Sequence, residues 1–124
     1  MCLFRKRNPF EKNSKKYIED RFTFLIERGY VCKYYNRGGE EEFIFVKGTA
    51  QIEVYSFNTH FSPFAFEVVI SDIGFESDKR KNINAFLGIG VEDIKSFSPI
   101  EIVDYYAEMV KNNIDKIEKA IFDK

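Results

Sequence analysis

Few residues in this chain have the types and spacing that chemistry requires, and two glutamates are the first candidates. Glu53 and Glu67 each interrupt an apolar segment that has strand character. Two carboxylates facing one cleft could perform general acid–base or glycoside chemistry. The strand register predicted below places them on opposite faces of the sheet, where they cannot act together. An enzyme is therefore the least favoured class of function, and no catalytic residue is predicted.

Metal and nucleophile chemistry lacks its usual side chains. His60 is the only histidine, and Cys2 and Cys32 are the only cysteines. One histidine with two separated cysteines does not complete a usual zinc site, and no Ser/His/Asp set is suggested. We expect His60 to be a surface loop residue and the two cysteines to be reduced.

Cofactor motifs are also missing. The segment Gly88-Ile89-Gly90 lacks the third glycine and the strand–helix setting of a dinucleotide fingerprint, so a turn or bulge is the better interpretation. No P-loop is present. The three adjacent glutamates 40–42 would alternate in direction along a strand and could not converge on a cation. The sequence predicts neither a cofactor nor a metal ion.

Composition and charge limit the classes of partner. The 124 residues fit a single α+β domain, 1–124, with a net charge of −1, which makes nucleic acid an unlikely partner. No apolar run approaches the length of a membrane span, and the basic N-terminus lacks the apolar region of a signal peptide, so a cytoplasmic location is expected. Residues 1–21 carry seven basic and three acidic side chains, net +4, whereas residues 40–76 carry one basic and seven acidic, net −6.

Helical signals stand at both ends of the chain. Asn8-Pro9 with Glu11 is typical of a helix start, and helical spacing of apolar residues continues to Ile26 before Gly29. Ser98-Pro99 with Glu101 predicts a second start. The long helix that follows carries one apolar stripe at spacings of three and four: Val103, Ala107, Val110, Ile114, Ile117 and Ile121.

Between the helices the apolar period changes to two, which predicts an antiparallel meander of four or five strands. The strands are expected at residues 30–35, 41–47, 50–57 and 64–71, with a weaker fifth at 83–89 and a helical turn at 91–97. Gly48-Thr49 fits a two-residue hairpin loop. The expected fold is an α+β sheet with both helices on one face.

The predicted register sorts the strand side chains between two faces. The Gly48-Thr49 loop places Phe43 opposite Val54 and Phe45 opposite Ile52. A symmetric loop at 58–63 would place Tyr55 opposite Phe66 and Ile52 opposite Val69. The face assigned to the helices then holds Tyr30, Cys32, Glu41, Phe43, Phe45, Ile52, Val54, Ala65, Glu67 and Val69.

The opposite face mixes charged and aromatic side chains, which is a composition that recognition surfaces use. We expect it to bind a partner through Tyr35, Glu42, Glu53, Tyr55 and Phe66. The alternative is that residues 72–98 fold back over the fourth strand and bury these aromatics as a second small core.

Three segments carry a resemblance to known proteins: 24–30 (FLIERGY), 42–48 (EFIFVKG) and 51–55 (QIEVY). Together with the order of elements they resemble small uncharacterised bacterial α+β proteins, including immunity proteins of polymorphic toxin systems. The resemblance implies a cytoplasmic protein that blocks a toxin by binding it, and the acidic middle would suit a basic toxin. The alternative is a small-ligand-binding or accessory domain with a pocket between sheet and helices.

Overall fold

The computed structural model describes residues 14–38, 40–57, 65–72, 81–88 and 98–122. The helices are α1 (Ser14–Arg21), α2 (Thr23–Glu27), α3 (Ile83–Leu87), α4 (Pro99–Asn112) and α5 (Ile114–Phe122). The strands are β1 (Val31–Arg37), β2 (Glu40–Lys47), β3 (Ala50–Phe57), β4 (Ala65–Asp72) and β5 (Lys81–Asn82). No helix in these ranges is long and apolar enough to cross a membrane.

The strands form one antiparallel meander in the order β1-β2-β3-β4-β5, and helices from both ends of the chain pack on one face of it. Phe22, between α1 and α2, lies 6.0 Å from Phe45 of β2, measured between ring centroids. Tyr106 of α4 lies 5.5 Å from Phe66 of β4 on the same face. The α+β class and the placement of the helices on one face are therefore confirmed.

The loop between β2 and β3 fixes the register of the central hairpin. Lys47 pairs with Ala50 across the two-residue loop, and Gly48 has a φ of 60°, which glycine adopts without steric cost. Phe43 then lies opposite Val54 and Phe45 opposite Ile52, as the sequence predicts. All four side chains are buried beneath the helices.

The C-terminal helical region begins where its sequence indicates. The Ser98 hydroxyl accepts a hydrogen bond from the Glu101 amide, and the Glu101 carboxylate accepts one from the Ser98 amide, which completes the capping box. The predicted single helix is interrupted at Asn113, yet the apolar stripe continues from α4 into α5 without changing sides. Its six members are all buried: Val103, Ala107, Val110, Ile114, Ile117 and Ile121.

Two further predicted elements, the N-terminal helix and the fifth strand, differ from the observed ones. The N-terminal helix is divided at Phe22, whose φ of −103° and ψ of 13° are not helical. Residues 83–87, expected in a fifth strand, form helix α3, because the Asn82 side chain accepts a hydrogen bond from the Asn84 amide and caps it. The fifth strand is instead the short pair of residues 81–82.

The register of β4 is shifted by one residue from the prediction. Tyr55 lies opposite Glu67 rather than Phe66, and Ile52 lies opposite Ile70 rather than Val69. Since successive strand residues point to opposite faces, this shift exchanges the faces of the β4 side chains from Phe66 to Ser71. The placement of Glu67 and Val69 on the helix-covered face was therefore wrong, and the side chain of Ala65 lies outside the described part of the structure.

Some sequence predictions concern residues outside the described ranges. They are the helix start at Asn8, Pro9 and Glu11, the histidine His60, the cysteine Cys2, the turn at 91–97 and the second and third residues of the Gly88-Ile89-Gly90 segment.

An ion cluster around Glu118 joins α5 to the start of the sheet. Its Oε1 accepts from Arg28 Nε at 3.0 Å and its Oε2 from the Tyr30 hydroxyl at 2.8 Å, while Lys47 Nζ lies 3.6 Å from Oε2. Burial alone would raise the pKa of Glu118, but the hydrogen bonds from Arg28 and Tyr30 outweigh it and lower that pKa. Burial of the Tyr30 hydroxyl, together with its hydrogen bond to Glu118, raises the pKa of Tyr30.

We predict that Glu118→Gln lowers the free energy of unfolding by about 1–2 kcal/mol at neutral pH, because the charge-assisted hydrogen bonds from Arg28 and Tyr30 weaken. The folded pKa lies below the ordinary value of 4.5. The stabilisation is therefore complete above that pH and is lost as the pH falls through the folded pKa. Urea unfolding as a function of pH measures the difference. Asp115→Asn serves as the control, because Asp115 is an exposed partner of Arg28 and its loss should lower the free energy of unfolding by less. A difference in stability between wild type and Glu118→Gln that does not change with pH would contradict the assignment.

We predict that Val110→Asp abolishes cooperative unfolding or costs more than about 3 kcal/mol, because it places an unpaired charge in the core. Val110 is fully buried on α4. Asn112→Asp adds the same charge two residues away on an exposed position and should change the stability by less than about 1 kcal/mol. Thermal unfolding followed by circular dichroism compares the two variants, and equal melting temperatures would show that α4 is peripheral.

Candidate partner-binding face

The sheet face turned away from the helices, here called the open face, is organised in rows that cross the strands. One row contains Tyr35, Glu42, Tyr55 and Glu67, each paired directly with the next on the neighbouring strand. We call it the Tyr–Glu row. Directly paired residues share a face and have Cβ atoms about 5 Å apart. Three of the five predicted site residues thus lie side by side.

Accessibility differs between the Tyr–Glu row and the next row. Along the Tyr–Glu row Tyr35 is 44% exposed, Glu42 and Tyr55 are half-buried, and Glu67 is exposed. In the neighbouring row Lys33 is exposed, but Glu53 and Val69 are only 6% and 4% exposed. The Tyr–Glu row is therefore the one that a partner could contact across four strands.

Glu53 does not occupy the exposed position expected of it. Its two carboxylate oxygens accept hydrogen bonds from Gln51 and from the Tyr55 hydroxyl, the residues two positions before and after it on β3. These three side chains lie on one face, because strand residues alternate. Glu53 is a buried acceptor that holds its neighbours in position, rather than a carboxylate presented to a partner.

Phe66 lies on the other side of the sheet from the remaining candidates. It pairs with Ser56 in the register of β4 and packs against Tyr106 beneath α4. Its predicted place on the open face was wrong, because the loop before β4 holds one residue more than the symmetric loop assumed.

Glu67 is a charged residue that the sequence analysis assigned to the wrong face. Asn82 Nδ2 donates to its Oε1 at 3.0 Å, so β5 orients the carboxylate. The sequence of β4 does indicate the correct faces: Glu67 and Ser71 point to one side of the strand, while Phe66, Val68 and Ile70 point to the other. The side with only apolar residues belongs under the helices.

The corrected register also places Glu67 and Glu53 on one face, at diagonal positions of neighbouring strands. The prediction that Glu53 and Glu67 lie on opposite faces of the sheet was therefore wrong. Both oxygens of Glu53, however, are bonded to residues of its own strand, and Glu67 is bonded to Asn82. The pair is arranged as two anchored acceptors.

Charge on the open face is divided between its edge and its centre. β1, at the edge, contributes Lys33 and Arg37, whereas β2 to β4 contribute the four glutamates Glu40, Glu42, Glu53 and Glu67. The face is acidic over its centre and basic along β1. A surface divided in this way can orient a charged partner as it approaches.

Comparison of the chain with protein-family models, curated proteins and solved structures finds no match.

We predict that Glu53→Ala lowers the free energy of unfolding by about 1–3 kcal/mol, because it leaves the Tyr55 hydroxyl and the Gln51 amide without this acceptor. Glu42→Ala deletes the same carboxylate from the neighbouring strand at a more exposed position and should change stability by less than about 1 kcal/mol. Denaturant midpoints measure both. If Glu42→Ala proves as destabilising as Glu53→Ala, the distinction between an anchoring and a presented glutamate is wrong.

Proposed function

We propose that this chain is a bacterial, cytoplasmic protein-binding domain of the immunity type, which neutralises a toxin by binding it through the open face. The observation that carries the proposal is the Tyr–Glu row, in which Tyr35 and Glu67 are exposed and Glu42 and Tyr55 are half-buried. Tyrosines are enriched among the residues that dominate binding energy, and their neighbours fix orientation through charge. The resemblance of the order of elements to immunity proteins supports the same class.

The charge of the open face favours a basic partner. The glutamates of β2 to β4 outnumber the two cations of β1 on this face. A basic toxin would be attracted over long range and held by short charge-assisted contacts. A nucleic acid would instead be repelled by the same surface.

The alternative of a ligand pocket between sheet and helices has less support in the described residues. That interface is filled by fully buried side chains such as Phe22, Phe43, Phe45 and Ile52. A groove of about 580 Å³ lies elsewhere, along α4, and is lined by Glu101, Asp104, Tyr105, Glu108, Met109, Asn112 and Asn113. An open groove on one helix does not enclose a small ligand as most binding pockets do.

The test is affinity capture from the native host with wild-type protein and two charge-reversed variants. Glu42→Lys reverses a charge in the Tyr–Glu row, whereas Glu108→Lys reverses one on the exposed side of α4. We predict that wild type and Glu108→Lys capture the same basic protein, and that Glu42→Lys binds it about ten-fold or more weakly, since like charges would meet. Calorimetry with the purified partner gives the affinities.

The captured protein must then be toxic when expressed alone and harmless when co-expressed with this chain. A partner whose binding is unaffected by Glu42→Lys but lost in Glu108→Lys would move the interface to α4. A captured protein without toxicity would leave a binding domain but remove the immunity role.

A further inference from the structure

The two edges of the sheet differ in length. β5, at one edge, has two residues, and such a short strand leaves little main chain for another strand to pair with. β1, at the other edge, has seven residues and pairs only with β2 within the described ranges. Its pairing runs from residue 31 to residue 37 without a bulge, and it contains no proline. β1 is therefore the edge to which a further strand can be added.

The side chains of β1 leave this edge accessible. Val31 is 65% exposed and Tyr35 is 44% exposed, and both cations of the strand, Lys33 and Arg37, are exposed as well. An apolar side chain this exposed at a strand edge is removed from water when another strand pairs there, which is favourable.

The geometry of the first hairpin determines which main-chain groups of β1 face outward. Arg37 pairs with Glu40 across a two-residue connection, and Gly38 has the positive φ, 61°, that such loops favour. The closing pair of a two-residue hairpin exchanges hydrogen bonds, and bonded pairs then alternate with non-bonded pairs along the strands. Residues 33 and 35 therefore bond to β2, whereas the main-chain groups of Cys32 and Tyr34 point away from it.

We propose that β1 pairs with β1 of a second copy of this chain, antiparallel and centred on Tyr34, so that two sheets join edge to edge. In this register Tyr34 lies opposite Tyr34 of the second copy, Lys33 opposite its Tyr35, and Val31 opposite its Arg37. The two-fold symmetry of such a dimer forms each of the last two pairs twice.

Charge favours this register over its neighbours. A shift by two residues in one direction places Lys33 directly opposite Lys33 of the second copy, and a shift in the other direction places it opposite Arg37. Like charges directly opposite each other on neighbouring strands are destabilising. In the register centred on Tyr34, Lys33 lies beside the ring of Tyr35 and the stem of Arg37 covers Val31. This register also pairs the whole of β1, which the shifted ones do not.

The dimer brings two open faces together. Directly paired residues share a face, so both open faces lie on the same side of the joined sheet. The Tyr–Glu row of each copy then continues to Lys33 of the other. Self-association through β1 goes beyond the proposed function, which concerns the open face of a single copy.

Sedimentation velocity of the full-length chain over a range of concentrations tests for the dimer. We expect a reversible monomer–dimer equilibrium with a Kd on the order of 10 µM, because the contact of one strand pair is small. Tyr35→Lys places like charges opposite each other twice in the dimer and should raise the Kd about ten-fold. Adding Lys33→Glu to Tyr35→Lys restores opposite charges and should return the Kd to within about three-fold of wild type. Glu108→Lys, on the exposed side of α4, should leave it unchanged.

Disulfide trapping tests the register. Lys33→Cys and Tyr35→Cys are prepared as separate proteins in a background of Cys2→Ser and Cys32→Ser. Positions 33 and 35 of the two copies form a non-hydrogen-bonded pair with Cα atoms about 4.5 Å apart, within the range that a disulfide spans. Under mild oxidation of a mixture, the disulfide between the two proteins should form at least about five-fold faster than either protein forms one with itself.

Three results would overturn the proposal: a chain that stays monomeric up to about 1 mM, a Kd unchanged by Tyr35→Lys, or disulfides that form as fast within each protein as between the two. Circular dichroism below the Kd shows whether each variant is folded, and the trapping experiment decides the case if Tyr35→Lys is not. A monomeric chain that still captures the basic protein would reject the dimer and leave the proposed function standing.

Discussion

The arrangement of both sheet faces depends on the two-residue loop at Gly48-Thr49. A loop this short permits few backbone geometries, and Gly48 supplies the positive φ that one of them requires. The pairing of Lys47 with Ala50 then propagates along β2 and β3, where each residue's face follows from its distance to the loop. Phe43, Phe45 and Val54 go beneath the helices, and Glu42 and Tyr55 face away from them.

Tyrosine hydroxyls bonded to carboxylates recur throughout the described structure. The donors and acceptors are Tyr17 with Asp104, Tyr30 with Glu118, Tyr34 with Glu41, and Tyr55 with Glu53. Glu41 and Glu53 are each only 6% exposed, one on each face of the sheet. A buried carboxylate without partners would be costly, and a tyrosine hydroxyl brings apolar surface and a donor together. These bonds separate acids that hold the fold from acids that face solvent.

The sequence predicted correctly those features that a few neighbouring residues specify. It failed for the register of β4, because two registers are compatible with the same residues. The Ser98 capping box, the stripe from Val103 to Ile121 and the Gly48 hairpin are each specified by a few neighbouring residues. The connection between β3 and β4 is longer, and a longer loop accommodates more than one register. The hydrogen bonds of Glu53 could not be foreseen either, because they depend on the side chains of Gln51 and Tyr55 turning toward it.

The one-residue shift of β4 changes the chemistry of the open face more than the fold. In the predicted register Phe66 would have stood opposite Tyr55 and extended the aromatic part of this face. In the observed register Phe66 packs beneath α4, and Glu67 takes the place next to Tyr55. The row therefore alternates tyrosine and glutamate, so that each ring of the row borders a carboxylate. Aromatic rings beside carboxylates are complementary to cations that have flat, apolar faces. The cross-strand pair of Tyr55 with Glu67 thus adds a carboxylate to the open face, which favours the same basic class of partner that the acidic middle of the sequence suggests.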